Sequence, residues 1–180
     1  MTVAHDVDGR GAVLWHARCM PVPEFISALR SRVGHGLLWL PGLSAVVLDE
    51  QGRVLLGRRA DSGQWAVISG IPDPGEEPVP AIEREITEET GVVAKVRALA
   101  SVRPTAVIGY PNGDRAQYLN LNFIADHVSG RPVVGDDESL AVGWYHQDDL
   151  PEPLADSTRE RLEDARAFLA DPGAGPVLSR

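Results

Sequence analysis

The sequence predicts an α/β fold in which a mixed sheet lies between helices. Apolar runs of strand length recur through the chain, set apart by turn residues. Two stretches with helical spacing, residues 79–90 and 156–170, interrupt them. Strands mixed with two main helices argue for a sheet sandwiched between those helices.

Residues 1–42 read as a separate lead-in. Residues 12–16 suit a short strand, and 23–33 a short helix with Phe25, Ile26 and Leu29 at helical spacing. Gly34, Gly36, Pro41 and Gly42 then punctuate a connection into the main body, residues 43–170. The lead-in is expected to be a packing element or a homodimer-forming appendage; the functional alternative is one wall of a substrate pocket. In the main body, residues 43–48 and 54–57 are strands joined by Asp49-Glu50-Gln51-Gly52, which suits a hairpin turn. Arg58 and Arg59 follow, then a loop and a short strand at 65–68.

The helix at 79–90 has Pro78 and Pro80 around its first turn, where an N–H has no intrahelical partner, and Gly91 just past its end. Residues 92–102 and 105–110 read as strands, and the turn Pro111-Asn112-Gly113-Asp114 leads into another at 116–128. Asn112 and Asp114 read as turn-formers. A polar loop, 130–137, precedes a strand at 141–146. The helix at 156–170 turns Leu162, Ala165, Phe168 and Leu169 to one side, with Asp156 or Ser157 placed to cap it. Residues 171–180, with two prolines and two glycines, read as a loose tail.

Composition narrows the function. A hydrophobic fraction of 43% can bury a core. No apolar run approaches the roughly 18 residues of a membrane span. The N-terminus lacks a basic segment followed by an apolar one, so a cytoplasmic protein without a signal peptide is expected. The single cysteine, Cys19, excludes an internal disulfide and reads as a small buried thiol. His5, His16, His35, His127 and His146 show no ligand spacing. A net charge of −9, from 17 basic and 26 acidic residues, argues against broad nucleic-acid binding. It also repels any phosphate-bearing ligand, which therefore calls for a divalent metal or a local Arg cluster.

The chemistry gathers in residues 70–92, a Pro/Gly-rich turn followed by a helix crowded with carboxylates. Glu85, Glu88 and Glu89 stand at i, i+3 and i+4, within roughly a 100° sector of one helix face. Glu76, Glu77 and Glu83 add negative charge, and no Lys or Arg lies four residues on from the trio to relieve it. A solvated acidic face is the plain alternative. Clustered oxygen donors without Cys or His suit a hard cation, Mg²⁺ or Mn²⁺, which shares its shell with phosphate oxygens. Metal-assisted hydrolysis is the chemistry such a site supports, with one crowded carboxylate as a candidate general base.

The spacing of Gly70, Glu76, Arg84, Glu85, Ile86, Glu88, Glu89, Gly91 and Val92 resembles the signature box of the Nudix hydrolases at every fixed position. The likeness extends more loosely over residues 43–150. It implies a Nudix-like α/β/α sandwich, a pyrophosphohydrolase activity, and a small-molecule substrate in which a nucleoside diphosphate is linked to another moiety. It also implies that Glu85, Glu88, Glu89 and the Gly70 carbonyl bind the metal, that Arg84 orients the carboxylates, and that Glu76 fastens the loop to the helix. Family members commonly carry Pro-Gly-Gly ahead of the box and a Glu three residues after its first Gly; this chain has Ile68-Ser69-Gly70 and Asp73.

Outside the box, Glu138 stands where several family members place a further metal-binding or base carboxylate, and is assigned that role; the alternative is that Asp136-Asp137-Glu138 is a plain acidic loop. Arg58 and Arg59 precede the box, where one of two consecutive strand-end residues can meet substrate phosphates. Trp65, Tyr110 and Tyr118 could stack on a nucleobase or belong to the core. A non-catalytic nucleotide sensor would show degenerate box carboxylates, and all are present here. An isomerase of the isoprenyl diphosphate type would call for a catalytic cysteine, and Cys19 stands in no motif.

Overall fold

The computed structural model of the protein describes residues 23–178. In chain order these form α1 (Glu24–Val33), β1 (Leu37–Leu48), β2 (Val54–Arg59), β3 (Trp65–Ala66), β4 (Ile68–Gly70), α2 (Pro78–Thr90), β5 (Val93–Pro104), β6 (Ile108–Gly109), β7 (Arg115–Ser129), β8 (Ser139–Tyr145), α3 (Asp156–Ala170) and a 3₁₀ turn (Pro172–Ala174). The strand expected at residues 12–16, with Cys19, His5 and His16, lies outside the described residues.

The strands make one mixed sheet of order β3-β2-β1-β7-β5, with β4 added to β1, β6 to β7 and β8 to β2. β7 runs parallel to β1 through the full length of β1, from Leu37 against Arg115 to Leu48 against Asp126, and the other strand pairings are antiparallel. The period-two alternation of side chains divides the core into two layers. On one face Ala45, Val47, Leu55 and Phe123 pack against Ile82 and Ile86 of α2. On the other, Val46, Leu56 and Ile124 pack against Leu162 and Ala165 of α3. This is the expected sheet between helices.

Several boundaries differ from expectation, each for a tertiary reason. β1 begins at Leu37, so the boundary expected after residue 42 falls inside a strand. The parallel partner β7 carries β1 through Pro41 and Gly42, which read locally as breakers. The strand expected at 65–68 is two strands, because the Val67 N–H donates to Thr158 Oγ1 of α3 (3.2 Å) instead of to a neighbour strand. Of 105–110 only Ile108–Gly109 is strand; the Thr105 hydroxyl takes the Tyr118 N–H (3.0 Å) and diverts the chain. Neither Asp156 nor Ser157 caps α3, whose N-cap position is Ala155 without a side-chain bond. Leu169 is exposed rather than on the buried side of α3. The described part of the tail, 171–178, is tied down: Val177 exchanges hydrogen bonds with Ala100 and Val102 at the edge of the sheet (2.8 and 3.1 Å).

α1 docks beside β1 and β7, with Ile26 buried against Leu38, Leu40 and Ala116. Arg30 donates to the carbonyls of Gly34, Gly36 and Arg115 and pairs with Asp114 at 3.4 Å. His35 Nδ1 lies 2.8 Å from the same Asp114 carboxylate. The turn 111–114 is therefore also the anchor that holds α1 in place.

Candidate active site

α2 starts on Pro78 and ends where Gly91 takes the left-handed conformation (φ 66°) that its missing side chain allows, its N–H returning to the Thr87 carbonyl. Ala81, Ile82 and Ile86 bury one stripe against the sheet. That docking turns Glu85, Glu88 and Glu89 toward the end of the sheet where β4 delivers Gly70. Glu85 lies directly against Gly70: a Cβ there would come within 2.5 Å of Glu85 Cγ and Cδ, so a side chain at this position would have to displace the Glu85 carboxylate.

Arg84 organises the loop and helix. Its Nε and Nη2 bind both oxygens of Glu76 at 3.0 Å each, a bidentate pairing, while Nη1 donates to Glu85 Oε1 (3.2 Å) and Glu88 Oε2 (2.9 Å). Glu76 in turn accepts the Asp73 N–H at 3.1 Å, tying the loop to the helix, and the Arg84 hydrogen bond holds its carboxyl below the usual range. The relief of negative charge thus comes from four residues before Glu88, not from four residues after it. Glu83 leaves the cluster. Its carboxylate accepts the Val96 N–H (2.9 Å) and the Lys95 ammonium (3.0 Å), joining α2 to β5. Glu83→Gln is expected to cost about 1 kcal/mol in urea unfolding and to leave turnover unchanged.

Glu138 reaches the helix because the loop before β8 is stapled to the end of α2. The Val133 N–H bonds the Thr90 carbonyl (2.9 Å) and the Gly135 N–H the Glu89 carbonyl (3.0 Å), which brings Asp136 and Glu138 beside Glu89. Glu89, Glu138, Arg59 and Ser139 line a small cavity of about 10 Å³, close to the room that one water needs. Arg59 faces these carboxylates and bonds Asp61 (2.7 and 3.0 Å). Its guanidinium is held charged first by the Asp61 hydrogen bond and then by the charges of Asp61, Glu89 and Glu138. Arg58, one residue earlier on the opposite face, is exposed, and its Nε donates to the Gly63 carbonyl (3.0 Å). Of the two arginines only Arg59 is brought to the site.

The electrostatics are those of a crowded, half-dry acidic pocket. Burial, with Glu88 and Glu138 adding to it, pushes Glu85 up to about 7 against the pull of Arg84. Burial and the charges of Glu85, Glu138 and Asp136 push Glu89 up to about 9, with Arg59 opposing. Glu138 is raised as well, by burial and Asp136.

Trp65 and Tyr118 are placed elsewhere. Trp65 packs edge-on to Tyr145 (centroids 4.9 Å apart) in the α3-side core. Tyr118 bonds the Tyr110 hydroxyl at 2.8 Å in the cluster beneath α1. Neither meets the carboxylates, because strand alternation carries both away from the α2 face. Asp136 and Asp61 also contribute to the site, and nothing in the spacing of these two loop residues marks them in the sequence.

Among the described residues, no group of three His, Cys, Asp or Glu side chains is placed so that it could hold a metal ion as it stands. The cage expected from Glu85, Glu88, Glu89 and Glu138 is gathered but not closed. The reason is visible in the partners: Glu85 and Glu88 lean on Arg84, while Glu89 turns toward Arg59 and Glu138. The donor set still fits a hard divalent cation, since it is all oxygen, and Glu85, Glu89 and Glu138 destabilise one another's charge in a way such an ion would relieve.

The NUDIX domain family model matches residues 39–165, from β1 into α3. The chain belongs to the NUDIX family. A MutT-like protein of Streptomyces ambofaciens is 35% identical over 134 residues, 74% of this chain and 78% of that protein. The 8-oxo-dGDP phosphatase of Mus musculus is 31% identical over 81% of this chain but only 43% of its own length. The crystal structure of a MutT NUDIX hydrolase from Burkholderia pseudomallei is 33% identical and matches 71% of this chain and 98% of its own with a TM-score of 0.60. The Nudix chain is thus a pyrophosphohydrolase-type enzyme with the sandwich fold of its family. None of its described helices is long and apolar enough to cross a membrane.

Proposed function

We propose that this Nudix enzyme hydrolyses the diphosphate linkage of a small nucleotide, a nucleoside diphosphate joined to another moiety, with Mg²⁺ or Mn²⁺ held by Glu85, Glu88, Glu89, Glu138 and the Gly70 carbonyl. The observation that carries the reading is the convergence of Glu85 and Glu89 from α2 and Glu138 from the β7–β8 loop at one end of the sheet, opposite Arg59. A bound divalent ion would supply charge neutralisation of the diphosphate and activation of water. Arg84 holds Glu85 and Glu88 in place. Arg59 offers a guanidinium to a phosphate oxygen at the mouth of the Glu89–Glu138 cavity. Burial and the charges of Glu85, Glu138 and Asp136 raise the proton affinity of Glu89, a crowding that a bound cation would relieve, which suits this carboxylate to a ligand role.

One relative's name supports the small-nucleotide class, an 8-oxo-dGDP phosphatase in Mus musculus, while another is an RNA pyrophosphohydrolase in Novosphingobium aromaticivorans. A net charge of −9 favours the small nucleotide over RNA.

The test is a panel of nucleotides, including sugar nucleotides, dinucleotide polyphosphates and oxidised nucleoside phosphates, incubated with Mg²⁺ or Mn²⁺ and followed by phosphate or nucleoside monophosphate release. Release with no member of the panel would sink the proposal. On the best substrate, Glu138→Gln is expected to lower kcat on the order of 10²-fold, with the fold unchanged by circular dichroism. Unchanged kinetics would remove Glu138 from the site.

A further inference from the structure

α1 lies outside the residues matched to the family, yet it walls a cavity that opens onto the catalytic helix. The cavity, of about 650 Å³, runs between the start of α1 and the loop that follows β4. This is the size range of pockets that take small ligands, about 300–1,000 Å³. Phe25 lines it from α1 and Ile71 with Pro74 from the loop after β4, and Glu85 of the candidate active site lines it as well. The α1 wall is fixed by Ile26 in its own apolar cluster and by Arg30, which clamps three carbonyls and Asp114.

Apart from Arg84, the charged side chains that line this space are carboxylates. Among the described residues, the carboxylates of Glu24 and Asp73 carry no salt bridge and no hydrogen bond to a side chain, and both line the cavity. Arg84, its single cation, is committed to Glu76, Glu85 and Glu88. Such a lining repels a further phosphate or sulfate. It suits an uncharged flat ring that buries its faces against Phe25 and the Ile71–Pro74 wall and points N–H donors at carboxylates.

We propose that this cavity takes the nucleobase of the substrate, a purine stacked on Phe25 with its N–H donors facing Asp73 and Glu24, so that α1 sets base specificity. The proposal rests on the hydrolytic reading above for the place of the diphosphate, and it assigns α1 the pocket-wall role in preference to a packing or dimer role. Phe25 and Asp73 are then specificity residues that touch the base and not the reacting phosphorus.

The test uses the full chain without added metal and two probes, guanosine and adenosine, whose binding is followed by saturation-transfer NMR. Both are expected to bind. Phe25→Leu, which keeps apolar bulk but removes the flat ring, is expected to raise Kd about tenfold. Asp73→Lys, which sets a cation against the base N–H edge, is expected to raise it by a similar factor for guanosine. Should Phe25→Leu disturb the fold by circular dichroism, Ile71→Ala on the facing wall takes its place with the same expectation. Absence of nucleoside binding, or Kd values unchanged in these variants, would overturn the proposal. Glu89→Gln is expected to bind guanosine as the parent does. Nucleoside binding that depends on Phe25 in an enzyme hydrolysing nothing would sink the catalytic reading alone, and hydrolysis with Phe25-independent binding would sink this one alone.

Discussion

Glu89→Gln is expected to lower kcat on the order of 10²–10⁴-fold and, in the same protein without metal, to raise the melting temperature at pH 8. The two effects have one cause. Glu89 is only 9% exposed, and burial together with Glu85, Glu138 and Asp136 lifts its carboxyl to about 9 from an ordinary value of 4.5. Between those two values the folded state holds a proton that the unfolded state releases, so stability falls as pH rises through that window, by up to about 1.4 kcal/mol per pH unit. Below pH 4.5 both states are protonated and the penalty is absent. Glutamine keeps the shape and removes the titration, so the variant should outlast the parent at pH 8 and match it at pH 4. A purely structural Glu89 would give the opposite sign, a loss of stability. Activity retained within experimental error would sink the assignment of Glu89 to the reaction, whatever the melting temperature does.

The parts of the site that depend on local pattern were legible in the chain, and the parts that depend on register and docking were not. The helix over 79–90, its three aligned carboxylates and the glycine after it follow from spacing and from backbone chemistry. The choice between Arg58 and Arg59 does not, because alternation says that one faces the site and only the pairing of β2 with β3 and β8 says which. By spacing alone Glu83 is one more acid of the cluster; β5 supplies the Val96 N–H and Lys95 that occupy it. Arg84 was legible as a box residue, but its four-pronged hold on Glu76, Glu85 and Glu88 depends on the loop folding back, a contact eight residues apart in sequence for Glu76. α1 illustrates the same limit. Its helix is readable, whereas its position beside β1 and β7 is fixed by Arg30 and His35 meeting Asp114 across the fold.

Divalent cation binding should be steeply pH-dependent, and the slope is the second large effect. Glu85 titrates at about 7 and Glu89 at about 9 in the cation-free site. A cation that binds their ionised forms must expel one proton between pH 7 and 9 and two below pH 7. By linkage the affinity for Mn²⁺ or Mg²⁺ then falls about tenfold per pH unit in the upper window and up to about a hundredfold per unit in the lower one. The thermal shift produced by a fixed Mn²⁺ concentration is accordingly expected to be large at pH 8.5 and near zero at pH 6. The stabilisation grows with pH because the ion offsets the charge that destabilises the metal-free fold there. Titration calorimetry in two buffers of different ionisation enthalpy counts the protons released directly. One proton at pH 8 and close to two at pH 6.5 would fit the cluster described here. An affinity independent of pH would mean that the ion binds away from Glu85 and Glu89. In that case the crowding of the two carboxylates would need a different explanation, such as pairing with Arg59 and Arg84 alone.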